Sequence, residues 1–319
     1  MLAYFLVFLV ALLLAIVLGV PILKLCRKFH LSQTILHYVD NHAGKSGTPT
    51  MGGFIFIISA LIASLIFLRG ELYLPILVLL TMLGYGLLGF LDDFIKIKYH
   101  KNEGLRPYQK IIGQVSIATI IALFVYFNLG SNIDFFGINI NLGMFIIPFI
   151  VIFYVAVTNA VNLTDGLDGL ATGASGSYLI FFGIIVALLG EYNFSIISFA
   201  LVGALLGYFV FNCYPAKIFM GDTGSLALGG VIASLAVFTK LELIMPIIGI
   251  LFVLTALSDI IQVAYFKKTH KRIFKMAPLH HHFERSGVHE NRIVAVYIVI
   301  TIVCGLSSLI GYLFVTGVL

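Results

Sequence analysis

The sequence predicts an all-α integral membrane protein of about ten transmembrane helices, with both termini outside, on three observations. Of 319 residues, 61% are hydrophobic and only 10% charged, against roughly 25% charged in a soluble domain. Apolar runs such as 54–68 do not alternate, so they suit helical spans of about 20 residues and not the ~10-residue alternating strands of an outer-membrane barrel. With the N-terminus placed outside, every basic residue of the 19 except Arg69 and Lys240 falls in an inward loop. The positive-inside rule asks for that asymmetry.

The apolar runs lie at about 1–22, 51–68, 73–91, 109–128, 143–162, 174–190, 194–212, 223–239, 242–266 and 292–317. The first has no basic residue before it and Lys24, Arg27 and Lys28 after it. A cleavable signal has the opposite order, so a retained helix is predicted. Between the fourth and fifth runs, Asp134-Phe-Phe-Gly137-Ile-Asn-Ile-Asn141 alternates weakly and predicts a small hairpin. Cys26, Cys213 and Cys304 are odd in number and scattered, which implies no disulfide framework or metal knuckle. No repeat or linker divides the chain, so 1–319 reads as one polytopic domain. The net charge of +5 follows from membrane placement and implies no nucleic-acid partner.

The inward loops carry polar motifs that insertion does not require. Asn159-Ala-Val-Asn162-Leu-Thr-Asp165-Gly-Leu-Asp168-Gly169 sets two amides and two carboxylates between apolar runs. On a helical turn Asp165 and Asp168 would share a face, although a tight turn also favours these residue types. Asp92-Asp93 closes the third run, with Lys96 in reach of either acid. Cations suit a helix C-terminus better than acids do, so this pair is predicted to hold something beyond an ion pair. Asp222, in Phe219-Met-Gly-Asp222-Thr-Gly-Ser225, reads as a helix N-cap or as an oxygen ligand for Mg²⁺. Phe219 is a candidate stacking surface for a base.

Gly44-Lys45-Ser46 has the wrong glycine spacing for a phosphate-binding P-loop and no preceding strand. Lys45 remains a phosphate or carbonyl partner beside a helix start, or an interfacial lysine near headgroups. His280-His281-His282, read as part of a loop, cannot all bind one metal ion easily. Phosphate hydrogen bonding or proton handling suits them better. All nine histidines fall on the inward side, so the chemistry is expected at the cytoplasmic face.

Along nearly its whole length the chain resembles the phospho-N-acetylmuramoyl-pentapeptide-transferases, within the polyprenyl-phosphate N-acetylhexosamine-1-phosphate transferase superfamily. Five stretches carry the resemblance: 47–53, 91–96, 162–169, 219–222 and Met276-Ala-Pro-Leu-His-His-His-Phe-Glu284. It implies transfer of phospho-MurNAc-pentapeptide from UDP-MurNAc-pentapeptide to undecaprenyl phosphate, giving lipid I and UMP, at the bacterial cytoplasmic membrane. It implies Mg²⁺ held by Asp222, an essential pair Asp92 and Asp93, and a catalytic part for His280, His281 and His282. Lys45, Thr50, Lys96, Asn162, Asp165, Asp168, Asn212 and Phe219 would contact substrate, and a homodimer is expected. Where the family commonly has Gly-Trp after the histidines, Gly287-Val288 stands here and the chain has no Trp. Two alternatives are a sister GlcNAc-1-phosphate transferase and a carrier, whose acids would lie near midplane on broken helices. Direct attack by the lipid phosphate and a covalent aspartyl-phosphate both fit the residues.

Overall fold

In a bilayer each backbone amide must find its partner within its own segment, so long apolar runs fold as helices. The computed structural model describes residues 1–29, 31, 47–99, 104–135 and 138–315. Among those residues, nine helices are long and apolar enough to cross a membrane. They are α1 (Leu2–Lys28), α3 (Tyr73–Lys98), α4 (Pro107–Asn128), α5 (Ile146–Thr164), α6 (Leu170–Leu188), α7 (Tyr192–Asn212), α8 (Gly221–Phe238), α10 (Ile250–Thr269) and α12 (Glu290–Val315). A tenth apolar helix, α2 (Gly53–Phe67), has 15 residues and so reaches about 22 Å. The expected ten apolar runs are thus all helical.

Two details correct the sequence reading. Run 242–266, expected as one span, is interrupted: α9 (Met245–Ile248) ends at Gly249, whose φ of −91° and ψ of 33° leave helical geometry, and α10 begins at Ile250. The histidine triplet, expected in a loop, lies on a short helix, α11 (Leu279–Glu284). The hairpin reading holds, with β1 (Asn132–Phe135) antiparallel to β2 (Ile138–Asn141) and Ile133 opposite Ile140.

Helix α8 is the centre of the bundle: 89% of its apolar stretch is buried, against 22% for α1 and α10. Its composition explains why. Between lipid-embedded helices there is little hydrophobic driving force, and small residues let backbones approach closely. Gly224 meets Gly53 of α2, Ala227 meets Gly86 of α3, Gly229 meets Thr158 of α5 and Gly230 meets Tyr85 of α3. A Cβ at Gly53 would overlap the Gly224 backbone. Gly53→Val is therefore expected to lower the unfolding temperature of the detergent-solubilised protein by several degrees, as overpacking does. An unchanged melting curve would show that the α2–α8 crossing is looser than described.

Candidate active site

The site begins with the first turn of α8, whose leading amides have no partner within the helix. Asp93 of α3 supplies one from outside. Its carboxylate accepts hydrogen bonds from Asp222 N (3.2 Å), Thr223 N (2.9 Å) and Thr223 Oγ1 (2.7 Å). The acid is thus matched to the positive end of α8, which resolves its apparent misfit near the C-terminus of α3. Gly221 makes this approach possible, because its φ of +72° disfavours a side chain and a Cβ there would lie 2.5 Å from Asp93 Oδ2. Gly89 does the same on α3, where a Cβ would overlap the Asp222 carbonyl. Asp222 is therefore not the N-cap that one sequence reading allowed. It occupies the second position of α8, and its carboxylate is free to face the cluster.

Around that carboxylate, Lys96 Nζ lies 2.8 Å and Lys110 Nζ 3.0 Å from Oδ2, and Asn162 Nδ2 donates to Oδ1 at 2.6 Å. Lys96 also reaches Asp92 at 2.6 Å, and Leu105 N donates to Asp92 Oδ1 at 2.9 Å. Asn162 Nδ2 donates in addition to Ser225 Oγ, at 2.7 Å. Asp92, Asp93 and Asp222 each offer an oxygen within 4.8 Å of the others. Four helices thus converge on one carboxylate. Lys110, counted in the sequence only as an inward charge, belongs to the site without any motif that announces it, and Thr223 and Ser225 join it from within the Asp222 stretch with no role assigned to them there.

The other motifs join the same end of the bundle through backbone pairing. Phe219 N donates to Pro49 O (2.8 Å), Gly52 N to Phe219 O (2.8 Å) and Gly53 N to Met220 O (3.0 Å). The stretches 47–53 and 219–222, distant in sequence, are therefore neighbours. Thr50 is fully buried against Gly221, and Phe219 is half-buried. Asn212 serves the fold, accepting from Thr172 Oγ1 (2.7 Å) and donating to Ile218 O (3.1 Å). Lys45 lies outside the described residues.

Asp165 to Gly169 form the turn between α5 and α6, not a helical face. The side chain of Asp168 accepts from Ala216 N (2.9 Å), and its own amide donates to Glu290 Oε1 (2.5 Å). Glu290, at the start of α12, is a positioning residue that no motif flagged. Asp168 and Glu290 line a cleft of about 430 Å³ with Thr48, Tyr214 and His289. Burial, then the charges of Asp222, Asp93 and Asp168, push the Asp165 carboxyl well above its usual range. So many acids in one place call for cations.

On α11 successive side chains point about 100° apart, so the three histidines separate. His281 Nδ1 pairs with Glu284 Oε2 at 2.9 Å, and His282 Nδ1 accepts from Lys275 N at 3.1 Å. His280 is buried against the Asp165–Gly169 turn, where a Cβ at Gly166 would overlap its Nε2. Burial and then His281 lower its pKa to about 3, opposed by Glu284. The folded ring is neutral at neutral pH. An unfolded histidine titrates near 6.5, so acid favours the unfolded chain between those values and stability falls as pH drops from about 6.5 towards 3. His280→Gln is expected to flatten the fall in unfolding temperature between pH 7 and pH 5. A variant falling as steeply as the parent would show that His280 is not the group responsible.

Hard carboxylate oxygens suit a hard divalent cation, which needs only one or two of them when phosphates and water complete its shell. The donor set of Asp92, Asp93 and Asp222 fits a metal ion on that ground, with Asp222 the most accessible and Asp93 the most committed to α8. A multi-pass helical bundle with an acid, lysine and amide cluster at helix ends is an arrangement suited to group transfer at a membrane surface. Accordingly, the profile of glycosyl transferase family 4 matches residues 75–240, a stretch that holds Asp92, Asp93, Lys96, Lys110, Asn162 and Asp222.

The chain is 45% identical over 310 residues to the phospho-N-acetylmuramoyl-pentapeptide-transferase of Clostridium novyi, covering 96% of this chain and 94% of that one. It is 46% identical to the Clostridium perfringens protein of the same name over 91% of this chain and 92% of that one. It is 50% identical to the protein of that name from Thermoanaerobacter sp. X514, over 82% and 84% of the two chains. The chain belongs to the phospho-N-acetylmuramoyl-pentapeptide-transferase family.

Proposed function

We propose that the protein transfers phospho-MurNAc-pentapeptide from its UDP carrier to undecaprenyl phosphate in the bacterial cytoplasmic membrane, the lipid I-forming step of peptidoglycan synthesis. The observation that carries this reading is the single carboxylate, Asp222, held by Lys96, Lys110 and Asn162 beside Asp92. Family membership supplies the substrates. The cluster lies at the ends of α3, α4, α5 and α8, where a water-soluble donor and a membrane-borne acceptor can meet.

An oxygen of the lipid phosphate attacks the sugar-bearing phosphorus, that P–O bond forms, the bond to the bridging oxygen breaks, and UMP leaves. A phosphomonoester has a second pKa near 6, so at most one proton needs removal. Asp92 is the better acceptor of the two paired acids, because Asp93 spends its carboxylate on the N-terminus of α8. Lys96 and Lys110 place positive charge where phosphate charge develops, which is the main requirement of phosphoryl transfer. Asp222 would hold Mg²⁺, and that ion would supply charge neutralisation of the pyrophosphate. The Phe219 ring and the cleft beside Asp168 fit the nucleoside end of the donor, with Thr50 on the adjoining stretch; Lys45, by its place in the sequence, is a further partner for the donor's phosphates or base. His281 and His282 of α11, which are partly exposed, fit hydrogen bonding to the donor's phosphates or sugar, with neutral His280 buried against the Asp165–Gly169 turn. The protein works as a homodimer in this reading.

UMP release by purified protein given both substrates is expected to require Mg²⁺ and to disappear in Asp222→Ala. Full turnover in that variant would remove Asp222 from the centre, and preference for UDP-GlcNAc would move the chain to the sister transferases. Lys110→Gln is expected to lower kcat about 100-fold, the typical loss for one preorganised donor. A change confined to KM would make Lys110 a binding residue only.

A further inference from the structure

One helical turn deeper than the carboxylate cluster lies a polar ladder that the proposed chemistry does not use. Asn159 Nδ2 donates to Gln114 Oε1 at 2.7 Å and to Val155 O at 2.7 Å, and Gln114 Nε2 faces Asn159 Oδ1 at 3.4 Å. Gln114 is fully buried, and its backbone carbonyl accepts from Tyr85 Oη at 3.0 Å. Tyr85 stacks on Tyr154 with centroids 6.0 Å apart, and Tyr154 Oη donates to Ser234 Oγ at 2.9 Å. The ladder therefore links α3, α4, α5 and α8. These are the four helices that deliver Asp92 and Lys96, Lys110, Asn162 and Asp222.

The register is informative. Gln114 follows Lys110 by four residues on α4, and Asn159 precedes Asn162 by three on α5, so each amide shares a helix face with a site residue. Lys110 and Asn162 grip different oxygens of the same carboxylate, at 3.0 Å and 2.6 Å. Rotation or sliding of α4 against α5 would open one of these contacts. Interhelical hydrogen bonds within a membrane add only modestly to stability, and a pair of leucines would fill comparable space. What directional amide bonds add is a fixed register, as buried polar residues do in other helix pairs.

We propose that Gln114 and Asn159 form a clasp of positioning residues that sets the spacing of Lys110 and Asn162 across Asp222 for the transfer step. The proposal rests on the transferase reading above. Neither residue touches the reacting groups, and the effect passes through the register of α4 and α5.

The test is UMP release by three purified proteins given UDP-MurNAc-pentapeptide, undecaprenyl phosphate and Mg²⁺: the parent, the double variant Gln114→Leu/Asn159→Leu and the swapped pair Gln114→Asn/Asn159→Gln. The leucine pair is expected to keep its unfolding temperature and a donor KM within about threefold, while kcat falls roughly 10- to 100-fold, the usual scale for supporting residues. The swap, which rebuilds an amide pair of the same summed length, is expected to recover most of that kcat. A folded leucine pair with parental kcat overturns the clasp, as does a folded swap with no recovery. A leucine pair that cannot be purified folded assigns the amides to assembly and equally overturns it. An inactive parent removes the transferase reading itself, a result visible without either variant.

Discussion

The site depends on one trans-helix contact, the carboxylate of Asp93 seated on the first amides of α8. A buried acid inside an apolar bundle is costly unless paired, and a helix N-terminus inside the same bundle leaves donors unpaired. Each solves the other's problem. Because Asp93 fixes both the axial position and the rotation of α8, the next side chain, Asp222, cannot turn back to cap its own helix. It is presented instead to α3, α4 and α5. The glycines at 89 and 221 are part of the same constraint, since any side chain at either would push the acid and the helix end apart.

From this contact the arrangement propagates outward in two directions. Along the bundle, the small residues of α8 keep α2, α3 and α5 within backbone contact, so Lys96 of α3 and Asn162 of α5 arrive at fixed distances. Across the end of the bundle, the connecting loops are stitched by main-chain bonds between 49–53 and 219–220 and by side-chain-to-main-chain bonds from Asn212 to Ile218, from Asp168 to Ala216 and from Glu290 to Asp168. Two polar residues that the resemblance assigns to substrate contact, Asn212 and Asp168, also hold the structure together. Asn212 and Asp168 hold the loops that would shape a nucleoside pocket, which makes them essential to its form whether or not they touch its occupant.

The helices are legible because a bilayer leaves apolar runs few alternatives, and the motifs are legible because acids, amides and histidines gathered on one side of such runs exceed what turns and helix caps require. Convergence was legible only through charge asymmetry and resemblance. No local pattern says that Asp93 pairs with Thr223, 130 residues away. Lys110 was hidden for a different reason: at the start of α4 it is indistinguishable from any inward interfacial lysine until Asp222 is placed 3.0 Å from it. The break at Gly249 escaped because the apolar pattern runs through it without a pause. The histidine triplet was misplaced because six residues are too few to show helical periodicity, although a helix is what separates the three rings.

The location of the acids also discriminates between an enzyme and a carrier. Carriers place ionisable groups near the bilayer midplane on interrupted helices, where exposure can alternate. Among the described residues, the break between α9 and α10 bears none of the clustered acids, and Asp92, Asp93 and Asp222 sit at helix ends on continuous spans. The cluster is a fixed constellation at the rim of the bundle. A fixed, strongly charged rim is suited to neutralising a pyrophosphate in one preorganised geometry, and it leaves the chain of a lipid acceptor beside the apolar helix flanks. A preorganised rim of this kind matches the electrostatic requirement of phosphoryl transfer better than it matches a midplane carrier site.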